Sequence, residues 1–416
     1  MIDILKHTIV NVCKSITYTM TKPDKKFFEC IFQSMLQYRT TVLSNLGDTK
    51  QKKAKDLLKY FSRGLARVGM KDLSVKVEKV LIRFVWAVDA DTMFCMDGVD
   101  INKNSAKKME GLKIVRDGSE WTFWNGYIFN AVSVRGIPII FDREEIIQWA
   151  WESEKAHKEK IMSTRFRIFS EQVEKIVSLF GRDHWFSCDR LYDDVQKFNL
   201  LIEQQMKFVI RLKTSRYVTV LHQEVVQNGE RAMKCLIGKK LKVSDIPEGK
   251  YTVTCMGLVQ PCFLTVKQFP RCKNPIRILS NVDDQNHVER YLKRWEIERV
   301  FKSEKQEFNL EKIGTHDIQK TDSLVTLVQL CFGVSAYIHN KLNPIYEFGQ
   351  EKKAVTTTFF SKHFKVFLNE KWLKPNRNSI IGFIWEYMKK VWKMKYFFKR
   401  SILRPLESPQ LSLELW

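Results

Sequence analysis

The chain has 416 residues, of which 44% are hydrophobic and 28% charged, with only 17 glycines and 10 prolines. This length and composition predict a globular protein with more than one domain and exclude a chain that is disordered throughout. Lysine and arginine number 70 against 47 acidic residues, a formal charge of +23. Such a surplus favours a polyanionic partner, most commonly nucleic acid, with an anionic membrane surface as the alternative.

The first predicted region, residues 1–80, is helical. Its segment 48–71 carries apolar residues at helical spacing, with basic residues around them; the apolar residues are Leu57, Leu58, Phe61, Leu65 and Val68. Two interpretations of those basic residues stay open: they are simply solvated, or the helix lies on a DNA phosphate backbone.

Strands are predicted from about residue 90, where apolar residues begin to alternate with a period of two. They are then interspersed with helices, which indicates an α/β layer with a mixed sheet. The predicted elements are strands at 92–101, 120–134 and 136–141, a helix at 163–181, a strand at 184–189, a helix at 190–205 and a strand at 207–213.

The segment 214–284 has a different pattern, with short β-type runs broken by turn signals at 228–229 and 247–249. It predicts an all-β insertion. Helical patterns return from 285 to 342, and the tail after 351 is basic and rich in aromatic residues.

Neither the cysteines nor the apolar segments predict an exported or membrane-spanning chain. The nine cysteines show no Cys-x2-Cys spacing, which indicates reduced thiols in a cytosolic protein, although the four between 235 and 272 leave an irregular metal cluster open. The N-terminus does not read as a signal peptide. Charged residues interrupt the apolar stretch 379–398 and argue against a transmembrane span.

Three acidic residues occupy informative positions. Asp97 is predicted at the end of the first strand, Asp189 at the end of the strand 184–189, and Glu298 inside a helix. Three hard oxygen ligands suit Mg²⁺ or Mn²⁺, and a pair of such ions would hold both the attacking and the leaving oxygen of a phosphoryl transfer. The alternative is that the two aspartates cap turns and the glutamate is a surface acid.

The segment 291–305 is predicted as one helix, which at about 100° per residue brings several polar side chains onto one face. That face carries Tyr291, Arg294, Glu298 and Lys305. Trp295 and Lys302 flank it. An i,i+4 charge ladder explains Arg294 and Lys302 but not the tyrosine or the second lysine. A DNA phosphate beside a metal site explains all of them.

The spacing Tyr291-x2-Arg294-x3-Glu298-x6-Lys305, with its neighbours RW-x-IE-x2-FK, resembles the signature of DDE transposases of bacterial insertion sequences, in the insertion-sequence-four family. The segments 96–112 and 188–190 resemble the two aspartate regions of that family. The similarity extends over roughly 90–342.

The resemblance implies an α/β fold: a ribonuclease-H-like catalytic domain with a β-rich insertion, flanked by helical N- and C-terminal regions. The implied organisation is a DNA-binding region at 1–80, a catalytic core at 81–213 and 285–345, the insertion at 214–284, and a basic helical region at 346–416.

The resemblance also implies roles for individual residues. The implied catalytic and metal-binding residues are Asp97, Asp189 and Glu298, holding two Mg²⁺ or Mn²⁺ ions. The implied DNA-binding residues are Tyr291, Arg294 and Lys305, with Arg190, Trp295 and Lys302 beside them.

Two departures from the family pattern are Leu191, where glycine is common, and Val99, where threonine or serine is common. Asp100 is a rival to Asp97 for the first acidic position. Neither departure removes a ligand.

The activity implied is that of a transposase that binds terminal inverted repeats and catalyses metal-dependent cleavage and transfer of DNA strands, by cut-and-paste through a hairpin. Its expected partners are double-stranded DNA of the element ends and target, and a second copy of itself, with no membrane; the expected location is the bacterial cytoplasm, at the nucleoid. A catalytically inactive DNA-binding protein or transposition inhibitor, and a basic non-enzymatic membrane-surface or structural protein, stay open as alternatives.

Overall fold

The structure is a computed structural model. It describes residues 2–47, 53–67, 70–103, 106, 108–117, 122–144, 154–224, 235–270, 272 and 274–347. The chain folds into two compact units, one formed by 1–68 and 334–416 and the other by 69–333. The predicted C-terminal region 346–416 lies outside the described residues beyond Glu347, as does the apolar stretch 379–398.

The first unit begins with three helices, which agree with the predicted helical character of this region. They are α1 (Ile2–Thr17), α2 (Lys22–Tyr38) and α3 (Ala54–Arg67). Helix α3 presents Leu57, Phe61 and Leu65 to the core. Its Gly64 lies against Phe27 of α2 so closely that an added Cβ would come within 1.9 Å of the ring. Glycine therefore allows the two helices to pack closely.

The second unit combines helices with one large sheet. Its helices are α4 (Met70–Phe84), α5 (Glu154–Phe180), α6 (Val195–Glu203), α7 (His287–Leu292), α8 (Trp295–Glu307) and α9 (Ile318–Glu347), which continues past residue 333. Its strands are β1 (Met93–Asn102), β2 (Lys113–Asp117), β3 (Thr122–Val134), β4 (Ile137–Arg143), β5 (Trp185–Cys188), β6 (Lys207–Arg211), β7 (Tyr217–Gln223), β8 (Lys240–Lys242), β9 (Gly249–Thr254), β10 (Cys262–Lys267) and β11 (Ile276–Ser280). The strands β2 and β8 were not predicted, because both are short and polar.

The sheet is mixed, as the α/β prediction requires. Strands β4, β3 and β1 form an antiparallel meander, and β5 and β6 then run parallel to β1. Helix α5 supplies the long connection that a parallel neighbour needs. All four residues of β5 are buried, which is typical of a central parallel strand.

The segment 214–284 extends this same sheet. Strand β11 pairs antiparallel with β6, and β10, β9, β7 and β8 follow it in order. The β-rich character of the segment is therefore observed, and its strands continue the hydrogen bonding of the central sheet.

The register between β1 and β5 positions two acids. Met96 lies opposite Cys188 in a parallel pair, so Asp97 and Asp189 follow at the same level of neighbouring strands. The prediction that Asp97 ends its strand was wrong, because pairing with β3 carries β1 on to Asn102. The parallel pairing with β5 does end just before Asp97.

The predicted continuous helix 291–305 was also wrong, because the chain breaks between α7 and α8. Two main-chain carbonyls at the break accept side-chain hydrogen bonds from the sheet: Ser187 Oγ donates to Tyr291 O at 3.5 Å, and Cys95 Sγ donates to Lys293 O at 3.6 Å. Both donors stand on central strands, so the break is held against the sheet where β1 and β5 are neighbours.

One described helix is long and apolar enough to cross a membrane by length and composition alone, the part of α9 at Ile318–Ile338. Of its residues 72% are buried inside the protein. That degree of burial is typical of a core helix in a globular protein.

Candidate active site

Five side chains meet where the α7–α8 break faces the sheet. The guanidinium of Arg294 donates from Nη1 to Asp97 Oδ2 at 2.6 Å and from Nη2 to Glu298 Oε1 at 2.5 Å. Its Nε donates to the Tyr291 hydroxyl at 3.3 Å, and this hydroxyl donates to Asp189 Oδ1 at 3.5 Å. One arginine thus contacts two of the three predicted acids directly and the third through a tyrosine.

The local fold explains this convergence. Asp97 and Asp189 lie at the same level of β1 and β5. Helix α7 ends at Leu292, and Tyr291 and Arg294, on either side of this end, contact the two aspartates. Helix α8 packs on β1 and brings Glu298 one turn beyond Arg294, on the same side. Asp100 lies three residues from Asp97, on the opposite face of the strand. The Arg294 contact therefore distinguishes the two rivals for the first acidic position.

Burial and charge shift the acid–base properties of the cluster. Burial raises the pKa of Asp97 to about 7; Arg294 opposes this shift, whereas the charges of Asp189 and Glu298 add to it. Burial disfavours the charged form of Arg294, but Tyr291 and the three acids together raise its pKa above its ordinary value. The acids therefore act on one another electrostatically, and Arg294 is their counter-charge.

The donor types suit a hard divalent cation, since each of the three acids offers carboxylate oxygens. In the arrangement described, however, Arg294 lies between two of them. Within the described ranges, no three His, Cys, Asp or Glu side chains stand close enough to hold a metal ion together. The assignment of Asp97, Asp189 and Glu298 as metal ligands stays a prediction.

The other predicted DNA-binding residues have different surroundings. Lys305 forms an ion pair with Glu311 at 3.1 Å. Trp295 is 52% exposed and lies beside the Arg294 guanidinium, 5.9 Å from its ring centroid. Arg190 and Lys302 are exposed.

The helical stripe predicted to bind DNA is thus only partly a surface. Tyr291 and Arg294 are buried, whereas the Glu298 side chain is 35% exposed. The cluster therefore opens to solvent on its Glu298 side.

Three participants were not predicted. The Gly98 amide donates to Asp97 Oδ1 at 2.8 Å. Tyr192 is buried, and burial, followed by the charge of Asp97, raises its pKa. The Lys197 ammonium lies 4.7 Å from the centroid of the Tyr192 ring.

The cysteines between 235 and 272 do not assemble in the described residues. Cys235 and Cys272 are exposed, Cys262 is buried and Cys255 is intermediate. All nine cysteines of the chain lie in the described ranges, and none of them forms a disulfide. The irregular metal cluster left open by the sequence is not formed by these side chains.

Comparison with known proteins connects this region to DNA transposition. Residues 153–332 match the family described as Transposase DDE domain, a span that includes Asp189 and Glu298 but not Asp97. Among solved structures, the chain is similar to the piggyBac transposase in a synaptic complex with hairpin DNA, seen by cryo-EM, with 10% identity and a TM-score of 0.44 over 98% of this chain and 84% of that one. A similarity at that level transfers no residue role. No curated protein sequence matches the chain.

Proposed function

We propose that this protein is a DDE transposase that cuts and joins DNA strands at the site formed by Asp97, Asp189 and Glu298. The observation that carries the proposal is the convergence of these acids, from two neighbouring strands and a helix, on Arg294 and Tyr291. The match of 153–332 to the Transposase DDE domain supports it independently of that geometry. We further propose that the ends are terminal inverted repeats, that a dimer holds two ends, and that cleavage passes through a hairpin.

The strand order also supports a ribonuclease-H-like catalytic core. An antiparallel meander of β1, β3 and β4 is followed by β5 and β6, both parallel to β1, so that the order across this half is β4-β3-β1-β5-β6. Asp97 lies on β1 and Asp189 directly follows β5, and these two strands are neighbours in that order.

The surroundings of each residue indicate its role in the proposed reaction. The three acids would hold Mg²⁺ or Mn²⁺, which when bound lowers the pKa of water and polarises a phosphoryl oxygen. Arg294 and Tyr291 present the donors that a strand phosphate requires, and exposed Arg190 and Lys302 add positive charge. Exposed Trp295 offers an aromatic face on which a base can stack.

Helix α3 supplies a second surface suited to DNA. Four exposed cations recur every fourth residue along it, a series that we call the α3 ladder: Lys55, Lys59, Arg63 and Arg67. Each step advances about 6 Å along the helix axis. The buried residues Leu57, Phe61 and Leu65 hold the opposite face, so the ladder is presented outward. We propose that it binds the phosphate backbone.

The test is a nicking assay with purified full-length protein, Mg²⁺ or Mn²⁺, and DNA that carries the element ends. Asp97→Asn and Glu298→Gln are each expected to lower the nicking rate by at least ~1,000-fold while end binding persists. Each removes a carboxylate proposed to hold the metal ion that stabilises the transition state. Asp100→Asn is the matched control, because Asp100 is on the same strand but the opposite face. A variant at Asp97 that still cuts DNA would refute the site.

A second candidate is a DNA-binding protein without catalysis, favoured by one observation: Arg294 already neutralises part of the acidic cluster. Specific binding to element ends, with no nicking in either metal, would establish that candidate. Nicking that depends on both a divalent cation and Asp97 would exclude it.

A further inference from the structure

We propose that Arg294 is a built-in counter-cation that competes with the divalent metal ion for Asp97 and Glu298, and that a DNA phosphate relieves this competition by drawing the guanidinium away. Metal and DNA would therefore bind cooperatively, through one side chain. The inference rests on the proposed function, because it concerns the same acids.

The contacts of Arg294 show how completely it is engaged. All three of its nitrogens donate hydrogen bonds within the cluster, to Asp97, Glu298 and the Tyr291 hydroxyl. Two of these hydrogen bonds, at 2.6 and 2.5 Å, join the guanidinium to carboxylates, and such charge-assisted pairs are stronger than neutral hydrogen bonds. A side chain bound in this way is part of the cluster itself.

The same hydrogen bonds restrict what else the acids can bind. Asp97 Oδ2 faces the guanidinium, and Asp97 Oδ1 accepts the Gly98 amide at 2.8 Å. A divalent cation between Asp97 and Glu298 would meet the positive charge of Arg294 at close range in a buried setting, where screening is weak. The two cations therefore exclude each other, and the acids keep a partner in either case.

The Arg294 side chain can leave the acids toward one side of the cluster. The cluster is open on its Glu298 side, where that side chain is 35% exposed, and the exposed ring of Trp295 lies beside the guanidinium there. A strand phosphate on this side would offer Arg294 a bidentate partner in exchange for the carboxylates. The exposed side chain of Lys302, one turn beyond Glu298, adds positive charge to the same face.

The experiment measures the affinity for Mn²⁺ by calorimetry, without DNA, in wild-type protein, Arg294→Lys and Arg294→Gln. The Mn²⁺ affinity is expected to rise in that order, by at least ~10-fold from wild type to Arg294→Gln. Arginine binds both carboxylates through its planar guanidinium, lysine keeps the charge without that geometry, and glutamine has no charge. Arg299→Gln is the matched control: it removes an exposed arginine from the same helix, and its affinity should stay within about 2-fold of wild type.

The second measurement repeats the titrations with a short random-sequence duplex bound. DNA is expected to raise the Mn²⁺ affinity more in wild type than in Arg294→Gln, since the variant has no competing guanidinium to withdraw; by linkage, Mn²⁺ raises DNA affinity by the same factor. If Arg294→Gln does not fold, the comparison of wild type with Arg294→Lys decides alone.

The outcomes separate this inference from the proposed function. Equal or weaker Mn²⁺ binding in the Arg294 variants, with binding that still depends on Asp97, would overturn the competition and leave the metal site intact. No Mn²⁺ binding in any protein, with or without DNA, would overturn both proposals.

Discussion

The cluster around Arg294 and the α3 ladder carry the same kind of charge in opposite settings. Arg294 is buried, paired and hydrogen-bonded through all its nitrogens, whereas the ladder residues are exposed on one helix. The effect of a buried charge depends on its individual contacts, because removing it leaves an opposite charge buried without a partner, which costs free energy. An exposed charge contributes little by itself, because water and salt screen it, so exposed charges matter through the total charge of the surface. Substitutions in the two regions should therefore differ in size and in salt dependence.

The largest expected effect is on stability. Arg294→Ala should lower the free energy of unfolding by about 3–5 kcal/mol, because it leaves Asp97 and Glu298 without their buried counter-charge. Arg63→Ala, in the ladder, should change it by less than about 0.5 kcal/mol. Urea denaturation of both variants measures the contrast, and equal losses would contradict the distinction drawn between the two regions.

A second buried acid sharpens the comparison, because no cation among the described residues pairs with it. Glu304 of α8 is fully buried, and burial raises its pKa to about 8. The unfolded chain releases this proton near pH 4.5, whereas the folded chain keeps it until about pH 8, so stability falls as pH rises between these values. The slope contributed is at most about 1.4 kcal/mol per pH unit.

Glu304→Gln should therefore flatten the decline in the free energy of unfolding between pH 5 and pH 8 and stabilise the protein at the upper end. Exposed Glu289→Gln is the control and should leave the slope unchanged. Parallel pH profiles of wild type and Glu304→Gln would show that Glu304 is not held protonated.

Helix packing beneath the ladder gives the third effect. Gly64→Ala should cost about 1–3 kcal/mol, because the new Cβ would overlap the Phe27 ring. The exposed Ala66 on the same helix supplies the control, Ala66→Ser, with an expected loss of about 0.5 kcal/mol or less. Thermal unfolding of the two variants compares them, and a Gly64→Ala protein as stable as wild type would show that α2 and α3 are packed differently.

The smallest effect per residue is expected in the ladder itself. The double variant Lys59→Ala, Arg63→Ala should weaken DNA binding about 10-fold at low salt and reduce the slope of log affinity against log salt by about 2, because each cation removed leaves one phosphate with its counterions. The charge-conserving Lys59→Arg, Arg63→Lys protein should keep the wild-type slope. Unchanged slopes in both would assign DNA binding to another surface.

Much of this was predictable from patterns that depend only on neighbours in the chain. Period-two alternation located β1, β3 and β4, and helical spacing identified which face of α3 is buried. Fixed spacing along the chain also singled out Arg294 and Glu298 as a pair four residues apart, and the structure joins them. Leu58 was expected among the apolar face of α3, yet it is 45% exposed, because apolar character alone does not decide burial.

The errors occurred where interactions between distant segments prevailed. A uniform helix was predicted across Tyr291 and Arg294, but the chain breaks there, and carbonyls at the break accept hydrogen bonds from Ser187 and Cys95 of the sheet. Asp97 was predicted at a strand end, but it lies inside β1, which pairs with β3 as far as Asn102; only the pairing with β5 ends just before Asp97. In both cases the interacting segments are far apart in the chain.

The sequence by itself determined the class of elements and the excess of positive charge, because composition and periodicity are properties of the chain alone. It singled out the three acids by their positions and by the resemblance to a family, and their role stays a prediction. The tertiary structure decided that Arg294 lies among those acids and is not on an exposed stripe. Its charge is the same in either place, but burial removes the water that would screen it, and only the fold determines which residues are buried.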